Sequence, residues 1–145
     1  MIRRRKTQLS IDDLLAFGPH RSARELLDPR LRGIDEALDD AELVDGVFDA
    51  LAQRHPQSGR HGRPGTPAEV TLRMLVLKHL RSWSYEELEW EVRGSLAYRY
   101  FCRIGMGSVP DAKTMVRLGH LLEGEALRQV FDRVVEFVVG IGGTR

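Results

Sequence analysis

Residues Pro67–Leu122 read PAEVTLRMLVLKHLRSWSYEELEWEVRGSLAYRYFCRIGMGSVPDAKTMVRLGHLL, and this stretch sets the architecture of the chain. Thr66-Pro67-Ala68-Glu69 predicts a helix start. The Thr66 hydroxyl is placed to cap a free amide, proline suits the first helical position, and Glu69 is placed to complete a capping box. Behind it Val70, Leu72, Met74, Leu75, Val76, Leu77 and Leu80 form so wide an apolar arc that the helix is expected to be central and nearly surrounded. Ser84-Tyr85-Glu86-Glu87 predicts a second capping box, with Leu88 and Val92 facing inward. Gly94 is the expected left-handed stop, and Ser95 caps a short helix presenting Leu96, Tyr98 and Phe101. Gly105, Gly107 and Pro110 predict a break, after which Asp111 caps a helix reaching Leu122.

Upstream, Leu43, Val44, Val47, Phe48 and Leu51 give helical spacing over Ala41–Arg54, and His55-Pro56 ends that helix. Residues 57–65, QSGRHGRPG, read as an exposed hinge. Residues 1–40 are punctuated by Gly18-Pro19, Asp28-Pro29 and Gly33 and read as an irregular N-terminal arm. Downstream, a last helix over about Glu125–Val139 carries Leu127, Val130, Phe131, Val134, Val135 and Val138 on one stripe, and residues 141–145 form a frayed tail. No segment alternates with the period of a strand. The expectation is an all-α, compact multi-helix domain with a helix-turn-helix-like core over residues 41–140.

The length of 145 residues suits one domain, and 42% hydrophobic with 30% charged residues excludes a disordered chain. The 22 basic and 21 acidic residues nearly cancel, but they are segregated. From Gly94 to Leu122, Arg99, Arg103, Lys113 and Arg117 stand against Asp111 alone, while Thr66–Arg93 is rich in glutamate. A local basic patch is an electrostatic footprint for nucleic acid. A single cysteine, Cys102, excludes a disulfide framework or a cysteine-rich zinc site within one chain. No apolar run approaches the roughly 18 to 20 residues of a membrane span, and the basic start lacks the apolar stretch of a secretory signal. A cytoplasmic protein, nucleoid-associated when bound to DNA, is the expectation.

The helix from Asp111 places Lys113, Arg117 and His120 on one face with Thr114 adjacent, while Met115, Leu118 and Leu122 point to the core. A recognition helix needs that division: long donors toward base edges and phosphates, and an apolar back that pins it. A plain solvated helix face has the same pattern. An alternative pair of helices flanks Gly94, with Arg99 and Arg103 as contacts. In the hinge, Arg60-His61-Gly62-Arg63-Pro64-Gly65 is similar to the AT-hook core, which makes Arg63 a candidate for a narrow minor groove. Arg3-Arg4-Arg5-Lys6 would serve as a phosphate-binding arm.

Carboxylates cluster at Asp35, Glu36, Asp39, Asp40 and Glu42 and at Glu86, Glu87, Glu89 and Glu91. Neighbours on one short helix splay outward, so both clusters read as solvated faces rather than a two-metal site. The histidines lack ligand spacing, and neither a nucleophile triad nor a phosphate-cradling glycine loop occurs. No catalytic residue, metal or cofactor is expected.

Several ordered elements match in register the N-terminal domain of bacterial insertion-sequence transposases of the DDE type, in the IS-five-like and ISNCY groups. They are the leucine-rich run Leu75–Leu80, Ser84–Leu88, Ser95–Phe101 and Pro110–Arg117. The chain resembles that domain over about residues 35–140, most specifically over 62–120. The resemblance implies binding to the element's terminal inverted repeats and help in assembling the transposase. In that family an RNase H-like catalytic domain follows, and Arg145 falls about where its first strand would begin. The resemblance therefore implies a non-catalytic, truncated N-terminal part, with double-stranded DNA as partner and a homodimer or a separately encoded catalytic domain as further partners. Two other roles fit the same residues. One is a protein-interaction or dimerisation module built on Val130, Val134, Phe137 and Val138, and the other a stand-alone DNA-binding transcriptional regulator.

Overall fold

The computed structural model describes residues 23–54, 65–122, 124, 128–133 and 136. The described residues form helices and turns only, so the all-α expectation holds. A 3-10 turn, Ala23–Leu26, precedes helices α1 (Pro29–Leu38), α2 (Ala41–Arg54), α3 (Ala68–Arg81), α4 (Tyr85–Arg93), α5 (Leu96–Phe101) and α6 (Ala112–Leu121). Residues 128–133 and 136 continue the helical pattern. The remainder of the expected last helix, the hinge with Arg60 and Arg63, and the arm with Arg3–Lys6 lie outside the described residues.

Helix α3 is the axis of the domain. Its residues from Val70 through Leu77 are all buried, as the wide apolar arc predicted. Helix α2 packs along it, and α4 and α6 pack on it and on each other. Leu88 and Val92 from α4, Phe101 from α5, and Met115 and Leu118 from α6 close the core around Leu72, Met74 and Leu75. Each fully buried side chain of this size contributes about 1.5–3 kcal/mol relative to exposure, which makes α3 the main source of cohesion.

Most of the predicted caps form. Ser84 Oγ accepts from the Glu87 amide at 3.1 Å while Glu87 Oε1 accepts from the Ser84 amide at 3.0 Å, closing the capping box. Ser95 and Asp111 accept from the Tyr98 and Thr114 amides at 3.2 and 2.8 Å.

Four expectations are corrected. The irregular reading of residues 1–40 fails over 29–38. Asp28 accepts from the Leu31 amide at 2.8 Å and Pro29 takes the first helical position, so a dipeptide read as a breaker starts a helix. Thr66 does not cap α3. Pro67 is the N-cap, with no side-chain acceptor and no N–H for a capping box, and Glu69 instead accepts from Arg73 Nε at 3.2 Å. Gly94 has φ −94 and is no left-handed stop; the left-handed helix ends are Ser82 (φ 56) and Arg103 (φ 62). Phe48, expected on the inward face of α2, is 61% exposed, while Leu43 and Val47 are buried.

Candidate nucleic-acid interface

Helix α6 divides as its sequence predicted. Met115, Leu118 and Gly119 are buried, and Lys113, Arg117 and His120 are exposed, with Thr114 half-buried beside them. Residues spaced by three and four share a face, so the two permanent cations and the histidine form one stripe a little over two turns long. At its start the Asp111 carboxylate accepts from the Thr114 amide. That bond, its bond to the Thr114 side chain and the field of Lys113 hold the Asp111 carboxyl below the usual range.

Close packing fixes where this helix lies. A Cβ on Gly119 would overlap the Tyr85 hydroxyl oxygen, approach its ring carbon Cζ to 3.4 Å and reach 3.6 Å from Leu75. Glycine here lets the start of α4 touch the backbone of α6. The Lys78 ammonium sits over the Tyr85 ring at 4.5 Å and steadies it. At the other end, Glu89 accepts from the amide of Ala112, the first residue of α6, at 2.8 Å, and its second oxygen takes Arg93 at 2.6 Å.

The alternative contacts, Arg99 and Arg103, are placed differently. Arg99 Nε donates to the carbonyl of Arg93 at 3.0 Å, and its Nη1 to those of Gly105 and Gly107 at 3.1 and 2.9 Å. This guanidinium is turned inward across the loop leading to α6. Arg103 occupies the left-handed position after α5. The Ile104 amide bonds the Arg99 carbonyl at 3.0 Å and the Arg103 amide that of Tyr100 at 3.0 Å, a Schellman pairing that usually carries glycine at this point. An arginine tolerates it because its side chain is held on all sides. It lies over the Tyr100 ring at 5.0 Å and reaches Asp35 at 3.1 Å, Glu69 at 3.7 Å and Asp39 at 3.8 Å. Burial works against its charge, but the Asp35 hydrogen bond and the fields of Asp35, Tyr100 and Asp39 outweigh it, so its pKa is raised.

The same carboxylates meet Arg73, whose side chain is 0% exposed in the middle of α3. Its Nη1 lies 2.6 Å from Asp35 Oδ1 and 3.1 Å from the Phe101 carbonyl, and its Nη2 lies 3.4 Å from Asp39. Asp35 is therefore buried rather than part of a solvated face. Carboxylates from α1, its C-cap and α3 do converge, as a metal site would require. Two guanidinium groups fill the centre instead, and no group of ligating side chains among the described residues is arranged to hold a metal ion. Cys102, buried against this cluster, has its thiol pKa pushed up by burial, which Arg73 and Arg103 only partly oppose.

The structure thus leaves Lys113, Thr114, Arg117 and His120 together on one face and directs Arg99 and Arg103 inward. The partners of Arg73 were missed in the sequence, although an arginine in a helix apolar all round was itself a signal. Among the described residues no helix is long and apolar enough to cross a membrane. The profile of the transposase domain family DUF772 matches residues 19–121. No curated protein and no solved structure matches the chain.

Proposed function

Because the chain belongs to the transposase domain family DUF772, we propose that it serves transposition by binding double-stranded DNA at an element's terminal inverted repeats, as the N-terminal domain of an IS-five-like or ISNCY-like transposase. The division of α6 carries this reading: an exposed stripe of Lys113, Arg117 and His120 over a back of buried Met115, Leu118 and Gly119. Such a helix has donors for base edges and phosphates and a core-locked orientation to present them. In the same reading Arg63 enters a narrow minor groove and Arg3–Lys6 contact phosphates. The domain then positions DNA rather than cutting it; Asp35 and Asp39 at the end of α1 and Glu69 on α3, the carboxylates that converge, are paired with Arg73.

Fluorescence anisotropy of the chain on duplexes from the DNA flanking its coding sequence, against scrambled duplexes, tests the proposal. End recognition predicts an affinity ratio that persists as salt rises, while both affinities fall linearly on logarithmic axes. Equal affinity for both duplexes, or strand cleavage by the pure chain with Mg²⁺, would overturn it.

A further inference from the structure

The geometry points to Arg99 as a positioning residue for α6: it sets the loop that presents the DNA-contacting stripe, and it does not touch DNA. The inference rests on the proposed role of α6 in binding DNA.

The connection from α5 to α6 is longer than a turn of about three to four residues, so something must hold it in one shape. Apolar packing holds it only in part. Ile104 and Val109 touch the core, but Met106 is 40% exposed, and a cleft of about 350 Å³ separates Ile104, Ser108 and Pro110 from Pro67 and Val70 at the start of α3. Gly105, with φ +61, adds a residue free to take other conformations.

Arg99 supplies the missing constraint. One planar guanidinium gathers the carbonyls of Arg93, Gly105 and Gly107, tying the end of α4 to the middle of the loop. The tie continues, because Arg93 is held by Glu89, and Glu89 also caps the Ala112 amide at the start of α6. The stripe on α6 is thereby registered against α4 at both the loop and the helix start. A fork of donors fixed in one plane can do this, and an ammonium cannot replace it, since a lysine keeps the charge but not the spacing of the donors.

The conservative variant Arg99→Lys separates positioning from contact. The full chain and its Arg99→Lys, Arg99→Ala and Glu89→Ala variants are compared by anisotropy on one end duplex and its scrambled counterpart across salt. Amide hydrogen exchange is followed over residues 105–112. The expected result is a roughly tenfold fall in the affinity ratio for all three variants, the scale of one misplaced base contact. The wild-type salt slope is retained, and exchange over 105–112 quickens while α3 stays protected. Simple destabilisation would lower both affinities together and leave the ratio unchanged, which overturns the inference. So would Arg99→Lys behaving as wild type while Arg99→Ala loses about one unit of salt slope, the mark of a phosphate contact. Wild-type chain that binds with a ratio unaffected by any of the variants overturns this inference alone. Absence of duplex binding by the wild type at low salt overturns it together with the proposed function.

Discussion

Replacing Asp35 by alanine tests the buried ionic cluster most sharply. Arg73 is wholly buried, and Asp35 is its nearest anion at 2.6 Å, itself 6% exposed. Removing one partner of a buried pair costs about 3–5 kcal/mol, because the other charge is left without compensation in a poorly polarisable interior. Here Glu69 at 3.2 Å and Asp39 at 3.4 Å remain, but they are 37% and 65% exposed and partly screened by water. The expected cost is therefore at the lower end, about 3 kcal/mol. For a chain of this length that is about 10 °C in melting temperature, or about 2 M in urea midpoint at a slope near 1.5 kcal/mol/M. Urea unfolding followed by far-ultraviolet circular dichroism and by the fluorescence of Trp83 and Trp90 reads it. Asp39→Ala, which removes an exposed partner, should cost less than about 1 kcal/mol. The double variant Asp35→Ala/Arg73→Met should recover most of the loss, because no buried charge is then stranded in α3. If Asp35→Ala stays within about 1 kcal/mol of wild type, or costs no more than Asp39→Ala, the cluster does not hold α1, α3 and α5 together and the reasoning fails.

Other single contacts carry consequences of their own. Gly119→Ala would gain about 1 kcal/mol from helix propensity alone, but its Cβ meets Tyr85. It should instead destabilise by about 1–3 kcal/mol, and a double-mutant cycle with Tyr85→Phe should show the two sites strongly coupled in chemical denaturation. Asp111 has its carboxyl pKa lowered in the fold, so its stabilisation is complete above the ordinary aspartate value and is lost as pH falls through the depressed one. Asp111→Asn should therefore be less stable than wild type at neutral pH and converge with it in acid, flattening the acid limb of a stability–pH curve below about pH 4. Cys102 is buried with a raised thiol pKa, so a thiol-specific reagent at mildly alkaline pH should label it only after denaturant is added. Labelling of native protein at the rate of a free thiol would contradict that burial.

Sequence reading succeeded where the information is local. Ser84, Ser95 and Asp111 announce their helices because a cap and its amide lie three residues apart, and the inward face of α6 is dictated by spacing alone. It misread Asp28-Pro29 because the same dipeptide ends one helix or starts another, and only the packing of Leu31, Ile34 and Leu38 into the core decides between the two. It assigned Asp35 to solvent because its partner Arg73 stands 38 residues away, a pairing that only the packing of α1 on α3 creates. Arg99 and Arg103 were counted with the basic patch since a charge tally treats each arginine as facing water. Whether a guanidinium meets solvent, a carbonyl or a carboxylate is settled by the tertiary fold, and here half of the apparent patch points inward.

The exposed stripe of α6 is the surface expected to meet DNA. Its most direct test is the salt dependence of duplex affinity for the chain and for Lys113→Ala, Arg117→Ala and the double variant. Two phosphate contacts contribute about −1.8 to the logarithmic slope, so each single variant should reduce its magnitude by about 0.9 and the double variant by their sum. Slopes and affinities identical to wild type in all three variants would mean that α6 presents an ordinary solvated face and that the DNA is held elsewhere.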